Sequence, residues 1–413
     1  MYSRGSEWNR WDFHIHTPGT LKNDQFIGLT LEEKWEKFYQ DIKAYIGNND
    51  NPQFKISAMG VTDYLSIKNY QKIISDGIIT DLIPFIFPNV ELRITPIAQQ
   101  APINIHCLFN PKIAHELEGR FFAKLNFNRA GSSFSAIESE LIRFGKAIDG
   151  SLNDEEAKKK AAEQFVIPYT DLQKIFNADI DLRENTIIAV SNKTSDGASG
   201  IANASQNSDE QLYQIREELY RMSDMIFSAN ESDIKYFSGE KEPPEKILKK
   251  YNKLIPCVNG CDAHTNADIF EPAQKKYCWI KAIPSFEGLR EIIFEPKERV
   301  KIQELKPEGK SDYYVIDKVE IEDENFSKEP IPFNDNLTCI IGGKSTGKSL
   351  LLHNMAEAID PRQVKAKLDI TNGSYYKAEQ VKVYWKDGII SRKDWDIEKK
   401  DCLFASNIFK QIE

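Results

Sequence analysis

The chain has 413 residues, with 54 Lys and Arg against 63 Asp and Glu, a net charge of −9 and a hydrophobic fraction of 41%. That length implies two or three globular domains, and the acidic balance excludes a protein that coats nucleic acid through a global positive field, while leaving room for a local basic groove. The six cysteines show no paired framework, no apolar run approaches a membrane span and the polar N-terminus has no signal-peptide pattern, so a cytoplasmic protein with reduced thiols is expected.

The first element is RWDFHIHTP, residues 10–18. As a strand it places Asp12, His14 and His16 on one face and Trp11, Phe13 and Ile15 on the other. The two imidazoles then stand about 7 Å apart along the backbone, close enough to reach one metal cluster. Pro18 and Gly19 stop the strand and leave the histidines at its C-terminal end, where sites form in α/β folds. The plain alternative is a histidine pair on a solvated edge strand.

Helical spacing of Trp35, Phe38, Ile42, Tyr45 and Ile46 predicts an amphipathic helix over 32–46. A strand over 56–64 ends in Asp63, and a short helix follows at 69–75. The run PFIFPNVELRI carries a lone Glu91 in an apolar context, where a buried carboxylate needs a partner and a metal would serve. APINIHCLFN then places His106 in a strand. Residues 111–178 turn polar and helical, with His115 an ordinary helix or turn histidine. Strand pattern returns at 184–193 and runs into a Ser/Gly-rich loop. A helical stripe of Leu212, Ile215, Leu219, Met222 and Ile226 follows, then a strand ending in Asp262 and His264. Cys257 and Cys261 have no second pair, so no structural zinc is expected there. Residues 306–312 read as a linker. Two strand-like runs, 313–321 and 337–341, open the second half.

The run 337–341 leads into GGKSTGKS and an apolar helix. This is G-x-x-x-x-G-K-S between a strand and a helix, a phosphate loop formed by Gly342, Gly343, Lys344, Ser345, Thr346, Gly347, Lys348 and Ser349. Its backbone N–H groups would cradle phosphates, Lys348 would reach the β/γ oxygens and Ser349 would ligate Mg²⁺, so ATP with Mg²⁺ is the expected cofactor. No apolar run ending in Asp-Glu follows. The nearest candidate, VKVYWKDG, reads as a hairpin, so the ATPase sheet is expected to be incomplete in this chain.

The other candidates are His14, His16, Asp63, Glu91, His106, Asp262 and His264, each near a predicted strand end, with helical pattern between the strands. That is the sequence image of an α/β barrel whose ligands converge at one mouth. The imidazole and carboxylate mixture suits a divalent Mn, Zn or Fe ion. His14, His16, Asp63 and His264 are the expected catalytic residues.

HIH, TDY, VEL, NIHC and CDAH, in this order, resemble the polymerase and histidinol phosphatase (PHP) domain. The resemblance implies a distorted (β/α)7 barrel over residues 1–305, with a helical insertion at about 111–180, that hydrolyses phosphoesters with bound metals. Fusion to a P-loop module of the ABC/SMC kind, its N-terminal part spanning 313–413, is similar to the TrlF-family AAA-like ATPases and the Ppl anti-phage defence group. The resemblance implies a nuclease acting on nucleic acid, controlled by ATP, forming a homo-oligomer, with no membrane association and a possible place in anti-phage defence. Two departures stand out. Tyr64 follows Asp63 where the family has Asp-His, and AVSNK puts Lys193 where the family has His. Lys193 would then supply a fixed cation in a metal's place. Two alternatives remain open: a catalytically weakened scaffold in a nucleotide-regulated binding protein, and a nucleotide or small-molecule phosphatase.

Overall fold

The computed structural model describes residues 4–47, 54–201, 210–307, 309–324, 326–371 and 376–394. Contacts divide the chain into two units. One is Trp8–Pro307; the other joins the segment before Trp8 to the residues after Pro307. Among the described residues no helix is long and apolar enough to cross a membrane.

The first unit is a mixed α/β structure around a nearly closed barrel sheet. Its staves are β1 (Trp8–Ile15), β2 (Ile56–Tyr64), β3 (Phe85–Ile97), β4 (Pro102–Phe109), β5 (Thr186–Ser191), β6 (Met225–Phe227) and β7 (Cys257–Val258). They are hydrogen-bonded in that order, all running parallel except β4, which is antiparallel to both neighbours. Closure comes from the residues just after β7. Phe13 N donates to Asn259 O (3.4 Å), Asp262 N donates to His14 O (2.7 Å), and Ile15 bridges Ala263 in parallel. The strands β8 (Tyr277–Lys281) and β9 (Val300–Gln303) extend the sheet from the N-terminal half of β1.

The two-residue period of the strands sorts the side chains. One buried cluster gathers Trp11, Phe13, Ala58, Phe85, Phe87, Leu108, Ile187, Ala189, Met225 and Val258, contributed by every stave: this is the barrel interior. The alternate positions, among them Met59, Val61, Val90, Leu92, Ile105, Ile188 and Cys257, join a larger cluster under the surrounding helices. On β3 the inner face reads Phe85, Phe87, Asn89, Glu91, Arg93. It passes from apolar at the base to charged at the mouth.

On β1 the expected alternation breaks. The register against β2 shifts between Asp12 and Ile15, where Asp12 pairs with Met59 and Ile15 with Val61. This bulge inserts one residue. Trp11 and Phe13 stay with the interior, Ile15 moves to the outer cluster, and His14 and His16 turn to the mouth. Asp12 does not share their task, since its carboxylate accepts from His14 N (3.1 Å) and Cys261 N (3.1 Å) and so fastens β1 to the closing segment.

The helix α1 (Leu31–Gly47) forms as the spacing predicts and buries Trp35, Phe38, Tyr39 and Ile42. The insertion is helical too, with α-helices at Glu138–Ile148, Asp154–Gln164 and Tyr169–Ala178, but it also holds a hairpin, Asn126–Arg129 with Ser132–Ser135. The stripe through Ile226 is corrected. Its helix ends at Met222, and Ile226 sits in β6. Asp224 causes the change by donating its N–H to Ile188 O and accepting Ile188 N at its carboxylate (2.6 and 2.9 Å), which commits the backbone to the sheet.

The second unit has a four-stranded antiparallel sheet in the order Ile331–Pro332, Ile316–Glu322, Gln380–Trp385, Ile390–Asp394. The last two form the expected hairpin. Val319, Ile321, Val383 and Trp385 pack on Met355 and Ile359 of the helix Lys348–Ile359. The strand expected over 337–341 is absent: Leu337 and Ile341 are exposed, and no described strand lies alongside to supply a ladder. Ahead of the helix, Gly347 takes a left-handed φ of 90°, and Lys348 Nζ folds back onto Gly342 O (2.8 Å) and Gly343 O (2.5 Å).

Candidate metal centre

His14 and His16 face each other across the bulge, Nε2 to Nε2 at 3.1 Å. Glu91 Oε2 lies 3.6 Å from both nitrogens. Asp262 Oδ1 is 3.2 Å from His14 Nε2 and 3.6 Å from His16 Nε2, and His264 Nε2 is 3.7 Å from the same oxygen. Two sets of ligand atoms are therefore close enough to share an ion: His14, His16 and Glu91, and His16, Asp262 and His264. Asp262 reaches the site from a left-handed backbone position, φ 53°, just beyond β7 rather than from a regular strand.

The donor set fits a divalent cation. Glu91 is 4% exposed, and its Oε2 is buried without a hydrogen-bond donor. A buried unpartnered carboxylate oxygen is costly, and a cation beside it removes the cost. Burial, reinforced by His14, His264 and His106, holds His16 well below the usual imidazole range, so it is neutral and able to ligate. Burial pulls His14 down as well, but Asp262 and Glu91 outweigh it and the net shift is upward.

His106 stands beside this set. Its ring centroid is 4.7 Å from that of His14 and 4.4 Å from that of Phe227. Burial, then His14, pushes its pKa well down. Asn89 fixes its tautomer. Asn89 Nδ2 donates to Phe13 O and Thr62 Oγ1 (both 3.0 Å), so its Oδ1, 3.1 Å from His106 Nδ1, is the acceptor and Nδ1 carries the proton. The Nε2 lone pair is left free.

Asp63 is directed elsewhere. It is on the outer face of β2, and its carboxylate accepts from Asn69 N (3.0 Å) and Asn69 Nδ2 (2.7 Å) at the start of α2 (Lys68–Asp76). Burial pushes it up to about 7. Its neighbour Tyr64 takes the inner position, with its ring stacked on His16 at 5.0 Å and 16°. Lys193 does approach the cluster, Nζ to Asp262 Oδ2 at 4.0 Å, from a largely exposed position.

Residue-type motifs alone pass over four groups at this mouth: Asn89, Arg93, Tyr64 in a positive role, and Lys22. Lys22 Nζ lies 4.9 Å from the Tyr64 ring centroid, and burial, then Arg93, lowers it to about 8. The inner-face register of β3, read in steps of two from Phe85, would have found Asn89 and Arg93. Nothing local marks Lys22.

These elements form a nearly closed barrel with a cluster of histidines and carboxylates at its mouth whose donor atoms are close enough to share an ion. No family model matches the chain, and no curated protein matches it. Among solved structures, a candidate metal-dependent phosphoesterase from Bifidobacterium adolescentis is similar at a TM-score of 0.31 and 8% identity, over 70% of this chain and 96% of that one. At that score the likeness adds no argument to the geometry.

Proposed function

We propose that the barrel is a metal-dependent phosphoesterase of the PHP kind. The observation that carries the reading is the gathering of two adjoining ligand sets, His14, His16 and Glu91, and His16, Asp262 and His264, with one Glu91 oxygen buried and unpartnered. His14, His16, Glu91, Asp262 and His264 would hold the ion or ions. A divalent metal held there would supply a water acidic enough to give hydroxide near neutral pH and would polarise a phosphoryl oxygen. Around it, Asn89 keeps His106 Nε2 free as a ligand or proton acceptor, and Tyr64 walls one side of His16. The Tyr64 hydroxyl, raised by burial and by the Glu91 and Asp262 charges, stays protonated.

Within this reading the substrate is a nucleic acid phosphodiester. The loop Gly342–Ser349 takes ATP with Mg²⁺ and regulates the barrel, in a homo-oligomer that closes the nucleotide site between copies. The nuclease, ATPase and defence roles rest on the sequence resemblance alone. A second reading, a binding scaffold with weakened chemistry, is favoured by one feature: Lys193 brings a fixed cation to Asp262, where it competes with a metal for the carboxylate. Metal analysis of purified protein with cleavage assays on DNA, RNA and nucleotides separates the two. Bound metal with cleavage that His14→Ala abolishes supports the enzyme; bound metal or none, with no cleavage of any substrate, supports the scaffold.

A further inference from the structure

Two cationic side chains beside the metal centre hold buried nitrogens that nothing satisfies. Lys22 Nζ is shielded from solvent and has no hydrogen-bond partner among the described residues. Arg93 donates from Nη1 to Glu163 O (3.1 Å), but its Nε is buried without a partner. Arg93 is the next inner-face position after Glu91, about 7 Å further along β3 by the strand rise. Lys22 stands over the ring of Tyr64, which in turn stacks on His16. Arg93 opposes the Lys22 charge, and Glu91 and Glu163 offset part of that opposition without giving Lys22 Nζ a hydrogen bond. Like charges with unmet donors in a shielded place are costly, and an anion between them satisfies both. Phosphate oxygens suit an arginine fork and a lysine point charge together.

We propose that Lys22 and Arg93 form a phosphate subsite next to the metal centre, so that the substrate carries two phosphates: one presented to the His14, His16, Glu91 and Asp262 cluster, the second held by Lys22 and Arg93. This rests on the phosphoesterase reading and narrows its substrate class. Neighbouring phosphates of an oligonucleotide and the two phosphates of a small bisphosphate share this chemistry.

The test is calorimetric titration of inorganic phosphate into the full chain stripped with EDTA, on a Lys348→Ala background so that the phosphate loop contributes nothing. With the metal removed, the result is independent of whether the centre catalyses anything. Phosphate is expected to bind the parent, to bind Lys22→Met about tenfold more weakly, and to bind Lys22→Arg nearly as well as the parent. Absence of phosphate binding by the parent, or equal affinity in Lys22→Met, overturns the proposal. Metal content of Lys22→Met after reloading, equal to the parent's, shows that the fold and centre persist. With metal restored, Lys22→Met should raise KM for a 5′-phosphorylated dinucleotide but not for its unphosphorylated form if the source is a nucleic acid chain. It should do so for a sugar bisphosphate against the monophosphate if the source is a small molecule. An unchanged KM for both doubly phosphorylated probes again overturns it.

Discussion

Asn89 Oδ1 accepts a hydrogen bond from His106 Nδ1 at 3.1 Å, and the two donors that Asn89 commits to Phe13 O and Thr62 Oγ1 make that direction obligatory. One amide thus ties four staves together and sets which nitrogen of His106 faces the centre. Asn89→Ala removes these buried bonds and takes from His106 Nδ1 the amide that fixes it. It should cost about 2–3 kcal/mol in chemical denaturation and, by freeing the imidazole, weaken metal binding about ten- to a hundredfold in a competition titration.

Gly260 lies where the closing segment crosses β1. A Cβ built there would stand 2.3 Å from His14 N and 2.7 Å from Asp12 Oδ1. Backbone cannot step aside without separating His14 from Asp262. Gly260→Ala should therefore destabilise the barrel by about 1–3 kcal/mol, the usual cost of overpacking, and lower metal affinity with it. Denaturation midpoints and metal titration on the same protein check both.

The pH dependence of stability carries the mark of Asp63. Burial raises its pKa from the ordinary 3.8 to about 7 in the folded chain. Between those values the folded state binds more protons than the unfolded state, so this group's contribution is fully present below about pH 4 and is lost as pH rises through about 7. The slope is roughly 1 kcal/mol per pH unit within that window. Asp63→Asn, which cannot titrate, should flatten the stability–pH profile between pH 4 and 7 relative to the parent; an unchanged slope would assign it to other groups.

Lys348 Nζ is occupied by the carbonyls of Gly342 and Gly343. If the loop takes ATP, the ammonium must turn from these neutral acceptors to phosphate oxygens. Lys348→Ala should abolish binding of a fluorescent ATP analogue while the metal content of the barrel stays at the parent level. Retained nucleotide affinity would remove the loop from the proposed function.

Much of the barrel was legible because its strands keep period two and end at polar residues. β2 matched the expected span, and His14, His16, Glu91, Asp262 and His264 do come together. What escaped is physical rather than accidental. The bulge in β1 places both histidines at the mouth although a straight strand would have put Asp12 with them, and no residue in RWDFHIHTP announces the extra residue. Asp63 was readable: Ala58, Gly60, Thr62 and Tyr64 alternate with Met59, Val61 and Asp63, so a tip position says nothing about the face. β6 was hidden because three residues are too few to show a period, and the helix before them shares their apolar character. Asp262 enters from a turn, where periodicity does not apply.

The most direct measurement is the divalent metal content of the full chain by elemental mass spectrometry, for the parent, His14→Ala, Glu91→Gln and His115→Ala. His115 has a side chain 76% exposed and lies outside both ligand sets, so it serves as the control. The parent and His115→Ala should hold at least about one divalent ion per chain after loading with Mn²⁺ or Zn²⁺, while His14→Ala and Glu91→Gln, still folded by circular dichroism, should lose most of it. Equal metal in all four proteins, or none in the parent, would contradict the centre.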